Sequence, residues 1–212
     1  MSEIKENRLN VKIVYYGPAL SGKTTNLIQI HESMNSELCG ELTSFETKGD
    51  RTLFFDLLPM IIKSASGFKI KIKLFTVPGQ VAHDATRKAV LSRADAVVFV
   101  ADSQIEQSMN NFESFDNLEK NSGRVGLDFE NLPLVIQFNK RDLKNITGEK
   151  EILARWRPSG IPIVFSSAVY GKGVMETFEQ ILKLTYRKLN IIYKLNENHF
   201  VTENNFLTMI RG

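Results

Sequence analysis

Two short stretches hold residues whose types and spacing could do chemistry. Residues 17–24 read Gly-Pro-Ala-Leu-Ser-Gly-Lys-Thr, the pattern G-x-x-x-x-G-K-T, and residues 139–142 read Asn-Lys-Arg-Asp, the pattern N-K-x-D. In the first, Gly17 and Gly22 let the backbone turn its N–H groups inward. Those amides, with the start of the following helix, favour a phosphate anion. Lys23 can reach the outer phosphates of a bound nucleotide, and the Thr24 hydroxyl can ligate Mg²⁺. The candidate phosphate cradle is therefore Gly17, Pro18, Ala19, Leu20, Ser21, Gly22, Lys23, Thr24 and Thr25. The alternative is a tight turn with a solvated lysine. A preceding β-rich run and a following helical stretch argue against it, because the motif requires that context.

The second stretch chooses a base. The Asp142 carboxylate can accept from both N1–H and the 2-amino group of guanine. Adenine has a bare N1 there and would leave the carboxylate unpaired, a cost large enough to reject it. Asn139 can tie neighbouring loops together, and the Lys140 stem can lie along the base plane. Ser167 and Ala168 end the next apolar run, where the Ala168 N–H could meet guanine O6. A four-letter match is weak alone, and a solvated turn is its bland reading. Its place at the end of a strand, well after a phosphate loop, favours the base site.

The elements that must hold these stretches are legible from periodicity. The run 11–16 (VKIVYY) is a short buried strand ahead of the loop, and 23–34 is a helix with Leu27, Ile30 and Met34 on one face. Residues 35–51 read as loop. TLFFDLLPMIIK and FKIKIKLFTV flank the turn SASG and read as a hairpin, with Lys69, Lys71 and Lys73 on its solvated face. PGQVAHDATRK reads as irregular. DAVVFVAD, LPLVIQFN and IPIVFSS are further buried strands. Helices fall near 105–121, 148–156 and 173–189, the first with Met109, Phe112, Phe115 and Leu118 as packing residues. Strands that are apolar throughout and alternate with helices indicate a mostly parallel sheet covered on both faces.

With 212 residues, 42% hydrophobic and 24% charged, the chain suits one domain. A net charge of +3 without a basic arm gives no argument for nucleic acid. The single Cys39 excludes an internal disulfide and fits a reducing compartment. A polar start, no apolar run of membrane-spanning length and no lipidation box predict a cytoplasmic protein without a direct membrane anchor. His31, His83 and His199 lack metal spacing, and Trp156 reads as packing.

The phosphate loop, NKRD and SSA, with LFTVPGQV (74–81), resemble the Ras-like small GTPases. KIVYYGPALSGKTTNL, DRTLFFDLLP, VVFVADSQIE and the Thr76-Val77-Pro78-Gly79 segment are similar to the bacterial MglA type, in which threonine stands where other small GTPases have aspartate. The resemblance covers about residues 10–187. It implies an α/β P-loop NTPase fold, a Ras-like G domain with a mostly parallel six-stranded sheet, one antiparallel edge strand and helices on both faces. The chain then divides into a polar lead (1–10), the G domain (10–189) and a C-terminal extension (190–212), either docked or disordered. GTP or GDP and Mg²⁺ are the implied ligands. Thr52 becomes the second Mg²⁺ hydroxyl, the Gly79 N–H a γ-phosphate contact, Gln80 the residue that orients the attacking water, and Arg51 a cis arginine finger. Thr76 brings no charge, so a weaker outer-shell hold on Mg²⁺ is expected. The implied partners are a Roadblock/longin-type, MglB-like activating protein and polarity and motility proteins. The chain is expected to be monomeric when alone and recruited to a cell pole by partners.

Ala19 departs from the glycine usual at that place, and its methyl group points toward the space that Gln80 and Arg51 must enter. The backbone cradle would still bind nucleotide, but hydrolysis is expected to be slow. Two other functions compete with a hydrolysing switch. One is a GTP-dependent recruitment module with negligible turnover. The other is an ATP-using P-loop kinase or motor, against which NKRD argues.

Overall fold

The computed structural model describes residues 4–5, 7–35, 37–47, 53–64, 66–79 and 83–211. Its strands are β1 (Ile4–Lys5), β2 (Arg8–Tyr16), β3 (Thr43–Thr47), β4 (Leu53–Lys63), β5 (Lys69–Thr76), β6 (Ala96–Asp102), β7 (Leu134–Asn139) and β8 (Ile163–Phe165). Its helices are α1 (Lys23–Ser33), α2 (Asp84–Leu91), α3 (Ser108–Arg124), α4 (Glu149–Trp156), α5 (Val174–Tyr193), α6 (Leu195–His199) and α7 (Glu203–Arg211).

The sheet runs β3-β4-β5-β2-β6-β7-β8, with β1 paired antiparallel to the start of β2. β5, β2, β6, β7 and β8 are mutually parallel, and β4 is antiparallel to both its neighbours. Two expectations need correction here. The sheet path has seven strands rather than six, because Thr43–Thr47, read as loop, pairs with β4 and forms the edge. The antiparallel strand therefore lies one place inside the edge. The segment has polar residues on a half-covered edge, so it lacks the apolar run that marks the inner strands. The stretch read as irregular after Gly79 contains α2. Strand β2 also begins at Arg8, within the polar lead.

Alternation distributes each inner strand between two cores. Val11, Ile13 and Tyr15 of β2 and Val98 and Val100 of β6 face α1 and α5, while Val14, Tyr16, Val97 and Phe99 face α2, α3 and α4. Leu27, Ile30 and Met34 are buried, as are Val174, Phe178, Ile181, Leu182 and Leu189 along α5. The lysines of β5 alternate with buried Ile70, Ile72 and Leu74.

Beyond α5 the chain turns through α6 and α7 and packs back on the first core. Leu195, Val201 and Phe206 have no solvent exposure, and the Tyr186 hydroxyl donates to Val201 O at 2.8 Å. His199 stacks on buried Phe68 with ring centroids 3.9 Å apart.

One expectation for α3 fails. Leu118 is buried and Phe115 is partly covered, but Met109 and Phe112 are mainly exposed.

Candidate functional site

The loop between β2 and α1 has the backbone its motif demands. Gly17 has φ 145° and Gly22 has φ 99°, both in the region that favours glycine. A Cβ on Gly17 would overlap the Val100 carbonyl, and one on Gly22 would overlap the Asn139 amide. The loop is therefore pressed against the ends of β6 and β7 and cannot open by substitution. Asn26, one turn into α1, anchors it from below. The Asn26 and Gln137 side-chain amides form a reciprocal pair at 2.9 Å in each direction, and Gln137 also donates to Thr177 Oγ1. These three buried residues fix the start of α1 against β7 and α5.

Lys23 is nearly fully buried, and its ammonium donates to Pro18 O at 2.6 Å and Gly17 O at 3.0 Å. Burial lowers its pKa to about 7, the Arg87 guanidinium acts in the same direction, and the Asp56 carboxylate opposes both. A phosphate anion at this place would reverse that balance by supplying the missing negative charge.

Sequence reading missed Asp56. It sits almost buried in an apolar strand, and its carboxylate collects three hydroxyls. Thr24 Oγ1 donates to Oδ2 at 2.6 Å, Thr76 Oγ1 donates to Oδ2 at 2.9 Å and Ser44 Oγ donates to Oδ1 at 2.7 Å. The backbone N–H of Asp56 also donates to Thr76 Oγ1 at 2.8 Å. Thr76 is thus no substitute for a carboxylate; it holds one that comes from the neighbouring strand. Thr76 itself brings no charge, as expected, and the nearby negative charge is that of Asp56. A signal was present: hairpin pairing of Lys63 with Lys69 carries on to Leu57 opposite Phe75, one step short of Asp56 and Thr76.

At the other end, Asn139 joins three segments. Its Nδ2 donates to Ser21 O at 2.9 Å, and its Oδ1 accepts from Ser166 Oγ at 3.0 Å and from the Ala168 N–H at 2.8 Å. The Ala168 amide, expected to face a base oxygen, is therefore already shared with Asn139. The Lys140 ammonium is fixed 2.6 Å from Asp102 Oδ2, which draws its stem along the cleft wall. Asp142 is exposed at the mouth of the cleft and makes no hydrogen bond or ion pair among the described residues. Ser167, beside Ala168, is buried.

Two clefts meet at the loop. One is bounded by Ala19, Lys23, Thr24, Asp56, Gly79 and His83, and the other by Asn139, Lys140, Asp142, Ala168 and Val169; Leu20, Gly22 and Thr25 line both. Gly79 touches the loop so closely that a Cβ would overlap the Ala19 main chain. The His83 Nδ1 is buried there without a hydrogen-bond partner among the described residues. Arg51, Thr52 and Gln80 lie outside the described residues.

Two adjoining clefts, one with the loop amides and a lysine and the other with a carboxylate unpartnered among the described residues, define a nucleotide-binding protein of the P-loop class. The model of the ADP-ribosylation factor family matches residues 1–185, and the chain belongs to that family of Ras-like small GTPases. It is 47% identical over 181 residues to the mutual gliding-motility protein MglA of Myxococcus xanthus (strain DK1622), which covers 85% of this chain and 93% of that protein. The chain is accordingly a guanine-nucleotide-binding GTPase of the MglA type.

Proposed function

We propose that the chain is a GTP-to-GDP switch controlling bacterial cell polarity and motility, and that Ala19 makes its hydrolysis slow. The observation that carries the reading is the Asn139 side chain, which ties the phosphate loop at Ser21 to the 166–168 loop and sets the two clefts at one spacing. The triphosphate occupies the amide cradle of residues 17–25 with Lys23 on its outer phosphates, and the base lies beside Lys140 with Asp142 reading its N1–H and 2-amino edge.

The donor set suits Mg²⁺. The Thr24 hydroxyl and the Asp56 carboxylate are hard oxygen donors 2.6 Å apart, beside the lysine that faces the phosphates. Thr24 and Thr52 would hold the ion, with the Asp56 carboxylate beside Thr24. The metal supplies neutralisation of phosphate charge. Gly79 approaches the γ-phosphate through its N–H, Gln80 orients water, and Arg51 completes charge stabilisation when an MglB-like Roadblock/longin partner arranges the loop. Polarity and motility proteins read the loaded state, and partners bring the cytoplasmic protein to a cell pole.

The exposed Ala19 beside Gly79 also supports a second reading, a GTP-dependent recruitment module with negligible turnover. One experiment tests both. Ligand-free protein is loaded with GTP, ATP or xanthosine triphosphate and followed through time with Mg²⁺. The native chain is expected to bind GTP only and to convert it slowly. Asp142→Asn is expected to exchange GTP for xanthosine triphosphate, because an amide can donate to the 2-oxo group that replaces the amine. GTP left intact in the presence of the partner selects the recruitment module. Equal binding of ATP and GTP removes the guanine assignment.

A further inference from the structure

One face of the sheet carries a single sign of charge where no helix covers it. Lys69 of β5 lies opposite Arg8 of β2 on one side and Lys63 of β4 on the other. Two residues on, Lys71 lies between Asn10 and Ile61, and two further on, Lys73 lies between Lys12 and Pro59. Alternation puts all of these on the side that bears Val14 and Tyr16. No carboxylate interrupts the three rows. The helical cover on this side begins at Val14 of β2 and Phe75 of β5. Beyond it Arg8, Ile61, Lys63 and Lys69 are exposed, and Lys71 and Lys73 are half-buried.

The folded chain gains nothing from this arrangement. Like charges directly across a strand pair destabilise a sheet. Lysines do protect sheet edges, but β5 is flanked by β2 and β4 and is no edge. Arg8, Lys63, Lys69 and Lys71 make no ion pair among the described residues. At one corner the Lys12 ammonium donates to Ser92 O at 2.9 Å, and its backbone N–H donates to Asp95 Oδ2 at 2.8 Å. Burial lowers the Lys12 pKa, Asp95 opposes it, and the charges of Lys73 and of exposed Arg93 add to the lowering. The cations are thus close enough to feel one another.

We propose that this open face of β4, β5 and β2 adsorbs to an anionic lipid surface, with the lysines among the headgroups and Ile61 at the interface. The ammonium groups lie about 7 Å apart along a strand and about 5 Å apart across strands, so the charge is spread over a face rather than set around a groove. Lysine suits that use. It is a compact charge on a flexible stem, whereas a fixed carboxylate is better matched by the planar fork of arginine. Each cation near an anionic leaflet strengthens adsorption by about five-fold. The hold is peripheral and needs no spanning segment; no described helix is long and apolar enough to cross a membrane. None of these residues lines the nucleotide clefts, so the assignment does not rest on the function proposed above.

The full chain is sedimented with vesicles of phosphatidylcholine and phosphatidylglycerol, and with vesicles of phosphatidylcholine alone. It is expected to be retained by the anionic vesicles and not by the neutral ones, and retention should fall as salt rises. Lys69→Gln with Lys73→Gln should weaken retention by about thirty-fold. The same pair should not lower the urea midpoint, because it relieves like charges facing Arg8, Lys63 and Lys12. Lys120→Gln with Lys150→Gln removes the same net charge from exposed positions on α3 and α4 and should change retention by less than about two-fold. No retention, equal retention by both vesicles, or equal losses in the two double variants overturns the proposal. So does a polyglutamate peptide or duplex DNA held more tightly than the anionic vesicles at the same salt and lost in Lys69→Gln with Lys73→Gln. Those results would assign the face to an acidic protein or to nucleic acid.

Discussion

Thr24 and Asp56, 32 residues apart in sequence, meet with Oγ1 and Oδ2 separated by 2.6 Å. The contact joins the first turn of α1 to the open end of the β4–β5 hairpin, so the proposed metal hydroxyl and that end of the hairpin are tied together.

That link makes Asp56→Asn informative. The amide keeps the shape but removes the charge, and it leaves three hydroxyl donors sharing a weaker acceptor. The Mg²⁺ concentration needed to slow GDP release is expected to rise by about 10- to 100-fold, the usual cost of losing an outer-shell carboxylate. Release of a fluorescent GDP analogue across a Mg²⁺ titration measures it. An unchanged midpoint removes Asp56 from the metal's surroundings.

Ala19 and Gly79 set the width of the phosphate end. Ala19→Gly clears a methyl group from the approach to the γ-phosphate, and single-turnover GTP hydrolysis is expected to quicken by about ten-fold or more, since small displacements there are costly. Gly79→Ala does the reverse. Its Cβ would overlap the Ala19 main chain, so the loop must shift. Guanine binding, proposed above to rest on Asp142 and Asn139, should survive while hydrolysis falls. Equal single-turnover rates in Ala19→Gly and the native protein would show that the methyl group is neutral.

Asn139→Ala removes one side chain that satisfies groups on three segments. The Ser21 carbonyl, the Ser166 hydroxyl and the Ala168 amide all lose a partner in a buried place. With each orphaned group costing about 1–3 kcal/mol, a net loss of about 3 kcal/mol in urea unfolding is expected after partial relaxation. Release of GDP should accelerate as well. Stability within about 0.5 kcal/mol of native would mean that water replaces the amide.

The sequence exposes some of this arrangement and hides the rest for identifiable reasons. The phosphate loop and NKRD are legible because each is contiguous and its chemistry is local. The inner strands are legible because they are buried on both faces, and α1 and α5 because long amphipathic helices carry clear periodicity. Thr43–Thr47 is an edge strand whose pairing with Leu53–Leu57 is a tertiary event, and its polar residues resemble a loop. Helix α2 hides because it buries polar Thr86 and fully buried Arg87, whose guanidinium stacks 4.5 Å from the Tyr16 ring. Asp56 required knowledge of the hairpin register, not of any motif. Phe112 misled in the other direction: its spacing is that of a core residue, yet it is mainly exposed.

Asp84 opens α2 and gives the acid side of the stability profile a specific owner. Its carboxylate accepts from Asn121 Nδ2 at 2.7 Å and Asn117 Nδ2 at 3.1 Å, and it faces Lys88 at 3.2 Å and Arg124 at 3.5 Å. The Asn121 hydrogen bond foremost, then those from Asn117 and Lys88 and the Lys88 charge, outweigh partial desolvation and hold its pKa at about 2, below the ordinary 3.8. Between these two values the folded chain binds less proton than the unfolded one, so this group stabilises the fold above about pH 4 and ceases to do so as pH falls to about 2. Asp84→Asn cannot titrate. The drop in melting temperature from pH 5 to pH 3 is therefore expected to be smaller in the variant than in the native chain, while at pH 7 the variant melts lower. Parallel melting curves across that range would show that Asp84 is as well stabilised in the unfolded chain and that its partners on α3 contribute nothing to the docking of α2.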